Sequence, residues 1–180
     1  MYLEVQEVAA DIQSDLLESW LWRAKRRPLS IVVAYRSEDV KGWESPPANT
    51  KALDLVLAYS EQWRSITLNI PEEWLSCIDI VQGKIPLLER VEIKGVLRYN
   101  PEVFSVAPRL RSVAFKVAYY ESKMLGEISL PWSQLTELSF TADDIQTCLM
   151  LLNDAQALRI SHYTKTSLPT IDRQCHPVSL

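Results

Sequence analysis

Histidine is almost missing from this chain of 180 residues, which has only His162 and His176. Glycine is scarce too. Gly42, Gly83, Gly95 and Gly126 stand singly, so no glycine-rich phosphate loop can be assembled. Cysteine is limited to Cys77, Cys148 and Cys175, an odd number, far apart and without a C-x-x-C pair. That pattern suggests neither a disulfide framework nor a zinc site, and a reducing compartment is the expectation. No apolar run approaches the ~18 residues of a membrane span. Met1-Tyr2-Leu3-Glu4 lacks the basic-then-apolar order of a secretory signal. Cytoplasm or nucleus, with no membrane partner, follows as the expected location.

Material for catalysis is equally thin. There is no G-x-S-x-G and no H-E-x-x-H. Both histidines fall in residues 162–180, a polar, proline-containing stretch read as a poorly structured tail. Cys175-His176 is adjacent in sequence, but a nucleophile and its base must be held by a rigid fold. Asp143-Asp144 suits a helix start better than a metal, because carboxylates offset the positive end of a helix. No enzyme, no cofactor and no metal are expected. The net charge of −4 argues against a nucleic-acid partner. The one basic cluster, Arg23-Ala24-Lys25-Arg26-Arg27, is read as cations closing a helix over its exposed carbonyls.

What the chain does have is a recurring phrase. Trp63-Arg64-Ser65-Ile66-Thr67-Leu68 is answered by Leu88-Glu89-Arg90-Val91-Glu92-Ile93, then by Leu110-Arg111-Ser112-Val113-Ala114-Phe115 and Leu135-Thr136-Glu137-Leu138-Ser139-Phe140. A weaker copy is Ala155-Gln156-Ala157-Leu158-Arg159-Ile160. Each reads large apolar, two spacers, apolar, one spacer, apolar. The second apolar positions are Ile66, Val91, Val113, Leu138 and Leu158, separated by 25, 22, 25 and 20 positions. Units of ~20–29 residues carrying one strand each are the size class of leucine-rich repeats. One such unit cannot bury its own apolar face, so neighbours must stack. The usual polar residue at the bend is missing: Pro71, Val96, Ala118, Asp143 or Tyr163 stands there instead. The turns must be held in another way.

Around the repeats, Val5, Val8, Ile12, Leu16 and Trp20 predict one face of a helix over 5–26, ended by Pro28. Leu29 to Tyr35 reads as a strand, and 37–48 as a loop holding Gly42, Pro46 and Pro47. A helix from about Thr50 to Gln62 turns Leu53, Val56, Leu57 and Tyr59 inward. Another opens at Pro71-Glu72-Glu73 and stops near Gly83. Asn100-Pro101-Glu102 suggests a capped helical turn, and Glu127 to Leu130 an added strand. Thr141-Ala142-Asp143-Asp144 reads as a capping box before a stripe of Ile145, Cys148, Leu149 and Leu152. The expected fold is α/β: an irregular leucine-rich-repeat-like solenoid over 1–161, with repeats from about 29, a parallel sheet on one face and helices or turns on the other.

Alternation along each strand turns the spacer residues outward in three columns. They are Ser65, Arg90, Ser112, Glu137 and Ala157; Thr67, Glu92, Ala114, Ser139 and Arg159; and Asn69, Lys94, Lys116, Thr141 and Ser161. The expected protein-binding face comprises Thr67, Asn69, Arg90, Glu92, Lys94, Lys116, Glu137, Ser139 and Arg159. Trp43, in the loop, is a further candidate as an aromatic anchor. Trp63 and Trp74 are read as core, and Trp132 as closing the start of a strand.

At Pro28-Leu29-Ser30-Ile31, Gln62 to Leu68, Ile85-Pro86-Leu87-Leu88 through Ile93, Ala107-Pro108-Arg109-Leu110 through Val113, and Leu130-Pro131-Trp132-Ser133-Gln134-Leu135 through Leu138, the chain resembles the repeat region of fungal, mushroom-type F-box proteins. The order and approximate spacing match from about residue 16 to 161. The resemblance implies a module that holds a protein target for a cullin-based ubiquitin ligase. Residues 1–27 hold one expected helix, too little for the three-helix F-box that grips a Skp-type adaptor. Adaptor binding is therefore expected only if the full-length protein carries an F-box, and it is assigned to no residue here. A repeat-only scaffold and a truncated fragment without a ligase link are the alternatives.

Overall fold

The computed structural model describes residues 2–6, 10–36, 51–70, 72–95, 101–117, 129–142, 153, 157–158 and 160–165. Seven strands form one sheet, every neighbouring pair is parallel, and the spatial order is the chain order. The strands are β1 (Tyr2–Gln6), β2 (Leu29–Arg36), β3 (Trp63–Asn69), β4 (Arg90–Gly95), β5 (Ser112–Val117), β6 (Glu137–Ala142) and β7 (Ile160–Lys165). Helices α1 (Ala10–Ala24), α2 (Lys51–Ala58) and α3 (Glu72–Ile78) precede β2, β3 and β4. Among the described residues, the connections before β5 and β6 hold short 3-10 turns, Glu102–Val106 and Trp132–Gln134.

The repeated phrase explains this arrangement. Ile66, Val91, Val113 and Leu138 lie side by side in register, and so do Leu68, Ile93, Phe115 and, one strand on, Phe140. All eight are buried. The first apolar position of each phrase, Trp63, Leu88, Leu110 or Leu135, is fully buried where the chain turns into the strand. Together with Leu53, Val56, Trp74, Leu75, Ile78 and Phe104 from the helical side, these residues make one continuous core. Each full burial of this kind stabilises by ~1.5–3 kcal/mol, so the stack is held mainly by the anchors.

The missing polar bend is replaced at the other end of the strands. Pro86 and Pro108 occupy the second position of turns in which the Leu88 and Leu110 amides donate to the Ile85 and Ala107 carbonyls, each at 3.3 Å. Proline is preset for that position. Pro131, with φ −78 and ψ 66, forms an inverse γ-turn, its neighbour's amide Trp132 N donating to Leu130 O at 2.9 Å. The Gln134 side-chain amide then donates to the Ala107 carbonyl at 2.6 Å and the Leu110 carbonyl at 3.1 Å, tying one turn to the next. On the helical side, Asp79 Oδ1 accepts from the Val103 amide at 3.2 Å. Gly95 ends β4 at φ 107, a conformation open to glycine and strained for other residues.

Four expectations need correction. The first residues are a strand, not a helix start: Tyr2–Gln6 pairs with β2, placing Leu3 beside Val33 and Val5 beside Tyr35. In α1 the buried face is Ser14, Leu17 and Leu21, while Leu16 and Trp20 are 55% and 51% exposed. Two apolar stripes compete on that helix, and packing against α2 selects the one with Leu17 and Leu21. The last strand is displaced by three residues: Glu137 pairs with Ile160 rather than Ala157, and Leu138 with Ser161 rather than Leu158. Leu158, partly buried against the core, holds the turn before β7 as Leu135 does before β6. The step from Leu138 to its register partner Ser161 is thus 23 residues, within the range of the other repeats. Finally, β7 carries the sheet to Lys165, past the expected start of the tail.

Smaller differences follow. The helix expected over Thr50–Gln62 ends at Ala58 and continues as a 3-10 turn, Ser60–Gln62. The turn expected at Asn100 spans Glu102–Val106 with Pro101 before it and no side-chain cap. Thr141 and Ala142 belong to β6, and Ser129 and Leu130 are not strand. The stripe Ile145, Cys148, Leu149 and Leu152 lies outside the described residues.

Candidate functional site

Strand alternation leaves one side of the sheet to the core and the other to solvent. On the outer side the register runs Ser30, Ser65, Arg90, Ser112, Glu137 in one row, and Val32, Thr67, Glu92, Ala114, Ser139 in the next. These are half-buried or exposed, in contrast to the buried residues between them. The first two outer columns drawn from the sequence therefore hold across β3, β4, β5 and β6, and in the third Lys94 and Lys116 are register partners.

The charged centre of this face is Glu92. Lys116 Nζ lies 2.7 Å from Glu92 Oε1, and Lys94 Nζ 3.7 Å from the same oxygen. The Thr67 hydroxyl donates to Oε2 at 3.3 Å. Lys94 and Lys116 are register partners on adjacent strands, and like charges in that position repel. Glu92 lies between them and offsets the repulsion. Partial burial pushes the Glu92 carboxyl up. The Lys116 hydrogen bond, the charges of Lys94 and Lys116 and the Thr67 hydroxyl outweigh it and hold the group below the ordinary glutamate range.

Four expected site residues, Thr67, Glu92, Lys94 and Lys116, thus meet directly. Arg90 is exposed at the start of β4. Glu137 lies two strands away in the same row, about 10 Å off at the usual strand spacing, with Ser112 between them. Ser139 is separated from Glu92 by Ala114 in the same way. Asn69 is exposed at the end of β3. Trp43 and Arg159 lie outside the described residues. The displaced β7 sets Ile160, His162 and Thr164 beside Glu137, Ser139 and Thr141, the places where Ala157, Arg159 and Ser161 were expected. A strand phrase with a serine at its second anchor position hid this register.

No family model, no curated protein and no solved structure matches the chain.

Trp63 and Trp74 are core residues, as expected, and Trp132 packs partly against the core. Among the described residues, no helix is long and apolar enough to cross a membrane. The chemistry the described residues of the sheet face offer is ionic and hydrogen-bonding contact.

Replacing Glu92 with glutamine is expected to cost up to about 1 kcal/mol of stability at neutral pH. Because the folded-state pKa is lowered, the unfolded chain binds the proton more readily as pH falls below about 4. The stabilisation is present above that range and is lost as pH drops through the folded-state pKa. Urea melts should therefore show the wild type and Glu92→Gln differing at pH 7 and converging in acid.

Proposed function

We propose that the chain is a non-enzymatic protein-recognition module, an irregular leucine-rich-repeat-like solenoid that reads its target with the outer sheet face. The observation that carries this reading is the in-register row Thr67, Glu92, Ala114, Ser139, flanked by Lys94 and Lys116. Short side chains and a cross-strand ionic centre make a flat, specific surface, and parallel one-directional stacking is how repeat arrays build such surfaces. The resemblance to the repeats of fungal F-box proteins supports a role as substrate receptor for a ubiquitin ligase, with the transfer performed by other subunits. A repeat-only scaffold would use the same face without the ligase.

Affinity capture tests both readings. The triple variant Arg90→Glu, Glu92→Lys, Lys94→Glu is expected to lose the target proteins held by the wild type. Thermal unfolding of the variant must remain cooperative for the comparison to stand. An unchanged captured set would sink the sheet-face reading. A Skp-type adaptor captured with the full-length protein favours the ligase role, and targets captured without it favour the scaffold.

A further inference from the structure

Cations gather along one edge of the molecule. The connection from α1 to β2 carries Lys25, Arg26 and Arg27, all exposed, to the start of β2. Farther along the same edge, Arg64 stands at the beginning of β3, Arg90 opens β4, and Arg109 and Arg111 precede β5; all four are exposed. Hydrogen bonds align this edge, since the Glu89 amide donates to the Arg64 carbonyl at 2.8 Å and the Arg111 amide to the Glu89 carbonyl at 2.9 Å. The carboxylates described there are Glu61, Glu89 and Glu137. Seven cations against three carboxylates make this edge basic on a chain whose net charge is −4.

The edge already holds one carboxylate. Arg64 Nε donates to Glu89 Oε2 at 2.9 Å. That bond lowers the Glu89 pKa most; slight desolvation opposes it, and the charges of Arg64, Arg90 and Arg109 add to the lowering. One guanidinium group is thus bonded to the Glu89 carboxylate, and the charges of two more act on it. Among the described residues, Arg90 and Arg109 make no ion pair within the hydrogen-bonding range that Arg64 shows. Guanidinium forks suit planar carboxylates.

We propose that this strand-start edge is a docking strip for an extended acidic segment of a partner protein, with Arg90, Arg109 and Arg111 taking its Asp or Glu carboxylates. The strip from β2 to β5 spans three strand spacings, about 14 Å, which is the length of four or five extended residues. A nucleic acid fits less well. Among the described residues, no row of aromatic side chains lies along the edge for bases to stack on, and the overall negative charge repels a long polyanion. The proposal rests on the reading of the chain as a protein-recognition module and gives the chemistry of the partner.

Fluorescence anisotropy on the whole chain tests it. The probes are a labelled oligoglutamate peptide, an oligoglutamine of equal length and a single-stranded oligodeoxynucleotide of equal charge. Oligoglutamate should bind, salt should weaken it, and Arg90→Ser with Arg109→Ser should weaken it about tenfold or more. Lys51→Ser, at the start of α2 and outside both surfaces, should leave it unchanged. Should the double arginine variant unfold, Arg109→Ser alone, in an exposed turn, still gives a several-fold loss. Equal binding of oligoglutamine, tighter binding of the oligonucleotide, no binding of oligoglutamate, or arginine variants that bind like the wild type would each overturn the strip. Those outcomes leave the target capture by the sheet face standing, whereas capture unchanged by Glu92→Lys with Lys94→Glu, which keeps Arg90 in place, removes the broader reading.

Discussion

Trp63→Ala is expected to destabilise the chain by about 3–5 kcal/mol, enough to consume much of the stability of a domain this size. Trp63 is fully buried at the point where the 3-10 turn Ser60–Gln62 enters β3. Its indole N–H donates to the Val56 carbonyl at 3.2 Å, joining the end of α2 to the sheet. Alanine removes the ring, leaves a cavity between α2 and the sheet, and strips the Val56 carbonyl of that donor. Trp63→Phe keeps most of the volume and loses the hydrogen bond, so it should cost distinctly less. Urea denaturation of the two variants, read by far-ultraviolet circular dichroism, gives the comparison. Equal losses would mean that the hydrogen bond, not packing, dominates.

Val113→Pro should be at least as damaging. Val113 is buried in β5, between Val91 of β4 and Leu138 of β6. A strand with neighbours on both sides has no amide to spare, and proline removes one while its ring clashes with the pleat, at about 3 kcal/mol or more. The lost valine contacts add about 1.5–3 kcal/mol. Val113→Ala keeps the amide and loses only packing, so the difference between the two variants isolates the backbone contribution. Limited proteolysis should cut Val113→Pro within β5 to β7 under conditions that leave Val113→Ala intact.

The sheet was legible because its signal is periodic and repeated. Ile66, Val91, Val113 and Leu138 recur at 25, 22 and 25 positions, and those spacings are the register pairs of the folded chain. Where a single phrase had to be judged alone, legibility failed. Ala155 to Ile160 carries an apolar pattern that matches in the wrong phase, and only pairing with β6 distinguishes Leu158 as a turn anchor from Leu158 as a strand residue. On α1 the stripes Leu16/Trp20 and Leu17/Leu21 have equal periodicity, and the choice depends on a tertiary neighbour. Tyr2–Gln6 is too short to announce a strand against the helical spacing that follows it. For the site, the columns were readable from alternation, but the Lys94–Glu92–Lys116 centre was not. It depends on which residues become register partners, and a spacing of 22 between Lys94 and Lys116 has no meaning until the strands are paired. The basic edge was visible only as its first segment, Arg23 to Arg27. Arg64, Arg90, Arg109 and Arg111 are far apart in sequence, and stacking alone brings them onto one border.

Hydrogen exchange under native conditions is the most direct measurement of a single parallel sheet whose strands share one aligned row of buried anchors. The amides of Ile66, Val91, Val113 and Leu138 sit on interior strands and should be protected together, opening with free energies close to that of global unfolding. If any one of them exchanged at the rate of an unfolded chain while the others stayed protected, the four would not belong to one stack, and both the sheet-face and the edge readings would lose their foundation.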